Sequence, residues 1–198
     1  MKNNIAKNLK EKMDIYHATI LDIQKDKEGN DLYVFIKDQR SLEINYDKEK
    51  LDSIDTNDYT FELAEETIRP SFNGYIDLFI ANNDTIESRY PSFKGFPFMC
   101  AKFNYDYVEI VDMVVVDDFI KSDYARKGYG TILINCLEKL CKKYDIPEIR
   151  ATLTSVDATT EETKNRRNEF YKSNGFTLNF DDENHIMGTI NKKIDIDV

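Results

Sequence analysis

Two segments carry residue types that could do chemistry. The first is Ala125-Arg126-Lys127-Gly128-Tyr129-Gly130-Thr131, placed between an apolar run and an amphipathic stretch. Glycines at this spacing let the backbone turn tightly and come close to a ligand. The first amides of a helix starting there would lack partners within the helix. Together with the helix dipole they favour a phosphate or diphosphate. The GxxxxGK[ST] spacing is absent, and Leu133 occupies the place of a dinucleotide fingerprint's third glycine. A tight strand-to-helix turn that binds nothing is the competing reading.

The second segment is Asn165-Arg166-Arg167-Asn168-Glu169-Phe170-Tyr171-Lys172-Ser173-Asn174-Gly175-Phe176. It sets an aromatic pair on the last turns of a helix, ahead of a glycine stop. Read alone, these are two core aromatics at a helix end. Arg166 and Arg167 could meet a phosphate or an acidic substrate, or be solvated helix arginines. Two carboxylates upstream, Glu109 and Asp112, fall on one predicted strand. Simple alternation sends them to different faces, so at most one points into a cleft. His17 and His185 have no metal-ligand spacing around them, and neither Gly-x-Ser-x-Gly nor His-Glu-x-x-His is present.

The elements that must position these residues are legible in the second half. Met99 to Phe103 and Val108 to Val116 read as strands, the latter ending in Met113-Val114-Val115-Val116, apolar on both sides as in a strand covered on both faces. Ile132, Leu133, Cys136, Leu137, Leu140, Cys141 and Tyr144 repeat at three- and four-residue spacing, a strong helix signal, and Pro147 follows its end. Ile149 to Ser155 alternates as a strand. Thr159-Thr160-Glu161-Glu162 has the spacing of a capping box, opening a helix that runs to Ser173. Phe176, Leu178 and Phe180 alternate, Asp181 to Asn184 turns the chain, and Ile186 to Ile190 returns as a last strand. The first half is β-rich. Tyr16 to Ile23, Leu32 to Ile36, Leu42 to Tyr46, Tyr59 to Leu63 and Tyr75 to Ala81 read as strands, with Lys27-Glu28-Gly29-Asn30 as a hairpin turn. Residues 2–12, with four lysines, read as a short polar helix or a frayed end, and residues 84–97 as loop. The expected architecture is α/β (mixed α+β), a mixed sheet with two helices packed on it.

At 198 residues, with 41% hydrophobic and 12% aromatic content, the chain fits one domain, or one domain with an elaboration. A net charge of −10 argues against a nucleic-acid backbone as main partner and would draw a cationic one, or simply keeps the surface soluble. Cys100, Cys136 and Cys141 are an odd number with no CxxC, which suggests neither a disulfide framework nor a zinc site. No stretch approaches a signal peptide or a membrane span, so a cytoplasmic protein is expected.

In this order and about 40 residues apart, the two segments resemble the GNAT superfamily of N-acetyltransferases, over roughly residues 98–190. The resemblance implies a GNAT-like mixed sheet flanked by helices, here with additional N-terminal strands. Residues 76–198 would be the acetyltransferase core and 1–75 a β-rich elaboration of uncertain independence. It implies acetyl-CoA as co-substrate and a primary amine of a small molecule or protein as acceptor, a cationic one given the chain's acidity. Amides of Arg126, Lys127, Gly128, Tyr129, Gly130 and Thr131 would hold the diphosphate. A backbone N–H within Val114, Val115 and Val116 would meet the oxyanion, and Asn165 would lie near the coenzyme. Tyr171 would face the sulfur as acid, and Glu109, in an E-I-V stretch, would be the base, with Asp112 or water as alternatives. Three departures stand out. Ala125 replaces a usual Gln or Arg, the 117–124 connection is long, and the family's Asn falls at Lys164. A non-catalytic CoA-binding or protein-interaction module of the same fold is the alternative. Acceptor identity, acyl length and oligomeric state are not legible.

Overall fold

The computed structural model describes Glu11 and residues 18–38, 74–82, 97–114 and 127–196. The strands expected at 42–46 and 59–63, the 2–12 helix apart from Glu11, most of the 84–97 loop, the 117–124 connection and His17 lie outside these residues. Eight strands form one sheet: β1 (Thr19–Lys25), β2 (Asp31–Asp38), β3 (Tyr75–Asn82), β4 (Phe98–Phe103), β5 (Val108–Val114), β6 (Glu148–Leu153), β7 (Thr177–Phe180) and β8 (Gly188–Lys193), in the order β1-β2-β3-β4-β5-β6-β8-β7. β5 and β6 are parallel, and all other neighbours are antiparallel. The parallel step needs a crossover, which α1 (Tyr129–Lys143) supplies, and α2 (Glu161–Ser173) connects β6 to β7. This is the mixed α+β sheet with two helices expected from the sequence, and β1 and β2 are hydrogen-bonded into that same sheet.

The helical spacing of α1 produces one apolar stripe. Leu133, Ile134, Cys136, Leu137, Leu140 and Cys141 are all buried, in one cluster with Leu78, Met99, Ala101, Val108, Ile110, Ile149, Ala151 and Ile190 of the sheet. Lys142 and Lys143 close the helix favourably for its dipole. A second cluster, Ile20, Tyr33, Phe35, Phe79 and Ala81, lies on the opposite side of β1 to β3, with Phe35 and Phe79 stacked at 5.0 Å. Cys136 and Cys141 are free packing residues whose thiols burial pushes up to about 12. No helix among the described residues is long and apolar enough to cross a membrane.

Two of the boundaries that differ from the sequence expectation do so for local reasons. The capping box of α2 is one residue later. Thr160 Oγ1 accepts from the Thr163 amide at 3.1 Å, and Thr163 Oγ1 accepts from the Thr160 amide at 3.0 Å. A threonine thus does what Glu162 was expected to do. β8 starts at Gly188 because the Asp182 carboxylate takes the amides of Ile186 and Met187, keeping both in the turn. Gly188 itself is irreplaceable for packing. A Cβ there would lie 2.2 Å from the Asn179 carbonyl oxygen and 2.9 Å from Phe180 Cα, both backbone atoms of the paired strand. Gly188→Ala should therefore destabilise the fold by about 1–3 kcal/mol, read as a lower urea midpoint at unchanged slope.

Candidate active site

α1 opens on a residue whose conformation demands glycine. Gly128, the N-cap, sits at φ +87°, has no side-chain cap bond, and precedes a first turn with no acidic residue. Gly130 is buried and Thr131 is exposed. The amides at this helix start have no helical acceptor before them, and nothing anionic in the first turn competes for them. These features fit a phosphate, and an acyl-CoA diphosphate is the group that the sequence resemblance implies. Lys127 turns away to Glu28 on the β1–β2 turn, Nζ to Oε2 at 3.2 Å. Arg126 lies outside the described residues.

The sheet opens at the same end. β5 is in register with β6 only over Val108 to Ile110 against Ile149 to Ala151. Beyond these residues β5 continues to Val114 against β4, and β6 continues to Leu153 against β8. The two facing edges part at the end where both helices begin. Met113 and Val114 are half-buried and Val111 is 51% exposed, so this stretch is not covered on both faces as its composition suggested. Val115 and Val116 lie outside the described residues.

The carboxylates need a correction. Cys100 pairs with Asp112 and Ala101 with Ile110, which leaves Val111 as the extra residue of a β-bulge. One inserted residue shifts the parity of the strand. Glu109 stands opposite Lys102, and Asp112 opposite Cys100, and Cys100 and Lys102 share a face. Glu109 and Asp112 are therefore on the same face, the one away from α1, rather than on different faces. A polar row runs through it, Lys37, Asp77, Cys100 and Asp112, each opposite the next. A second row places Glu109 between Lys102 and Arg150. Glu109 is half-buried and Asp112 exposed. Among the described residues no His, Cys, Asp or Glu group could hold a metal.

On α2, Tyr171 is half-buried and held edge-on between Phe170 and Phe176, at 5.2 and 5.5 Å between centroids. The helix stops on Gly175 at φ +81°. Asn165 is exposed, while Lys164, at the family's asparagine position, donates to the Asn184 carbonyl at 2.9 Å. Arg167 is buried, not solvated. Its guanidinium donates to Thr154 O at 2.7 Å, His185 O at 3.2 Å and Asn168 Oδ1 at 3.1 Å, which ties α2 to the end of β6 and to the 181–187 turn. His185 is exposed and stacks on Phe180 at 4.3 Å. The contribution of the 26–30 turn to the surroundings of the Gly128 loop was not legible in sequence, since its residues signal only a hairpin.

Residues 74–176 match the family described as the acetyltransferase (GNAT) family, and this match covers more than half of the chain. The chain belongs to the GNAT family. Solved structures similar to it include the PaiA N-acetyltransferase from Thermoplasma acidophilum in complex with coenzyme A, at 19% identity over 75% of this chain and 80% of that one, TM-score 0.43. The ribosomal-protein-S18-alanine N-acetyltransferase from Escherichia coli is similar at 12% identity, over 71% of this chain and 80% of that one, TM-score 0.41. A GNAT-family acetyltransferase from Staphylococcus aureus is similar at 15% identity, over 72% and 82%, TM-score 0.42. No curated protein matches the sequence.

The polar row can be checked through its thiol. Burial, then the hydrogen-bonded Asp77 and the nearby Asp112, push Cys100 up to about 11. From the ordinary value of 9.0 this leaves about a hundredfold less thiolate at neutral pH. Iodoacetamide should alkylate Cys100 correspondingly slowly, and Asp112→Asn should speed it. Equal rates in both proteins would show that the bulge does not bring Asp112 to the thiol.

Proposed function

We propose that this protein transfers an acetyl group from acetyl-CoA to a primary amine, and that the acceptor is cationic. The reading rests on one juxtaposition. The glycine start of α1 and the opening between β5 and β6 lie at the same end of the sheet, and β5 carries Glu109 and Asp112 on one face. The exposed edge of β5 suits an extended, amide-bearing chain, which can pair with a strand edge as another strand would. The pantetheine arm of CoA is such a chain, and its diphosphate then falls to the amides of residues 126–131. Residues 76–198 form the acetyltransferase core in this reading, and 1–75 are an elaboration of it. Asn165, exposed in the first half of α2, stays a candidate contact for the coenzyme.

An alkylammonium with a pKa of about 10.4 must lose a proton before it attacks a thioester. We assign that proton to Glu109, directly or through water, with Asp112 on the same face drawing the cationic acceptor in. The nitrogen bonds to the acetyl carbon, and the resulting oxyanion meets a backbone N–H of Val114 to Val116. Collapse breaks the C–S bond, Tyr171, its ring fixed by Phe170 and Phe176, donates its proton to the leaving thiolate, and the second proton lost from the nitrogen returns through water to the phenolate. A module that binds CoA without catalysis is the second reading, favoured by Ala125 and by Lys164 in the place of the family's Asn.

Free-thiol release from acetyl-CoA over a panel of mono-, di- and polyamines tests the proposal, and no release above hydrolysis for any amine would sink it. With an active acceptor, Glu109→Gln should lower kcat by about 10²–10⁴-fold at neutral pH. The loss should shrink as pH rises and the amine deprotonates unaided. Tyr171→Phe should lower kcat over the same rough range with CoA affinity unchanged. Wild-type turnover in that variant would reduce Tyr171 to a packing residue.

A further inference from the structure

The turn joining β1 and β2 is built more firmly than a hairpin tip needs to be. Asp26 is buried, and its carboxylate accepts from the amides of Glu28 at 2.8 Å and Asn30 at 2.9 Å, and from Asn30 Nδ2 at 3.0 Å. Burial alone would raise its pKa. The hydrogen bonds from Asn30 and Glu28 outweigh burial and hold it below the usual carboxylate value. Gly29, at φ +85°, closes the turn with its amide on the Asp26 carbonyl.

This turn is docked at the start of α1, roughly a hundred residues later in the chain. Glu28 holds Lys127, and lower down the buried Asp22 holds Lys139 of α1 at 2.6 Å. The stem of Lys27 lies directly over Gly128, its Cε 3.6 Å from where a Cβ on that glycine would sit. Lys27 is exposed, and among the described residues it forms no ion pair. Lys127, the cation adjacent in sequence to Gly128, is already engaged by Glu28. Among the described residues, Lys27 of the hairpin is thus a cation beside Gly128 that no carboxylate engages.

We infer that Lys27 is a binding residue for the diphosphate of the acyl-CoA donor, supplied across the fold to a loop whose own first position is Ala125. The inference rests on the donor reading above and adds a residue to it. Its physical need is plain. A chain of net charge −10 repels a polyanionic donor at long range, so a cation fixed at the phosphates recovers attraction where it counts. The β1–β2 hairpin thus becomes part of the donor site and not an appendage to the sheet.

Calorimetry with CoA and with dephospho-CoA, which lacks the 3′-phosphate, tests the assignment, alongside kcat/KM on acetyl-pantetheine, which lacks every phosphate. Lys27→Ala should weaken both nucleotides by about fivefold, the size of a partly solvated charge contact, and Lys27→Glu should weaken them further. Lys27→Arg should bind like wild type, and acetyl-pantetheine turnover should not change in any of these variants. Weakening of CoA alone would move Lys27 to the 3′-phosphate and overturn the diphosphate assignment. Unchanged affinities for both nucleotides would overturn it too, as would an equal loss on acetyl-pantetheine. If the wild-type chain does not bind CoA at all, the donor reading falls with it. That outcome differs from failure of Lys27 alone, in which wild type and Lys27→Ala bind equally well.

Discussion

Parallel pairing between β5 and β6 lasts only from Val108 to Ile110, and the arrangement of the candidate site follows from where it stops. The extra residue Val111 increases the local twist of β5 and sends it away from β6. Each strand keeps its other neighbour, so the sheet opens along one seam without coming apart. Backbone groups left along that seam would cost about 1–3 kcal/mol each if buried without partners, so they must face water or a ligand. The same bulge reverses the parity of β5 and gathers Glu109 and Asp112 on one face. A single inserted residue thus places both the opening and the acid groups beside it.

The rest of the molecule stiffens the surroundings of that seam. α1 is fixed over the sheet by its buried stripe and by Asp22, which accepts from Lys139, Gln24 and its neighbour's amide at 2.6 to 2.8 Å. With its carboxylate this far from water, losing Lys139 would leave a buried charge short of a partner. α2 is polar apart from Phe170 and Tyr171, which pack against the core, so apolar burial holds only its last turns. The Arg167 guanidinium holds it, bridging the carbonyls of Thr154 and His185, while Lys192 joins Glu138 to the end of α2 at the Asn174 carbonyl. The turn after β7 is fixed in its own right by Asp182, whose carboxyl the amide of Met187, and then those of Ile186 and Asn184, hold below the usual value.

Much of this was written locally. The 3.6-residue repeat of Leu133, Leu137, Leu140 and Cys141, the alternation of Ile149, Ala151 and Leu153, and the Asn174-Gly175 stop each depend on a few consecutive residues, and each matched the structure closely. The glycines of the 128–130 loop and the Phe170-Tyr171 pair were legible for the same reason, because turn chemistry and helix periodicity are short-range. The family followed from the order of those two segments. Other features depend on pairing between distant strands, which no local pattern encodes. Strand alternation read without a register put Glu109 and Asp112 on opposite faces, and only the partners Lys102 and Cys100 reveal the bulge that unites them. Arg167 looked like a solvated helix arginine because its acceptors come from residues 154 and 185. Lys27 and Glu28 read only as turn residues, since their neighbours Gly128 and Lys127 are brought to them by the fold. Sequence determined the strands and helices of the second half and the glycine turn that opens α1. Tertiary structure decided which charges meet, because electrostatic contacts depend on distance through space and not on separation along the chain.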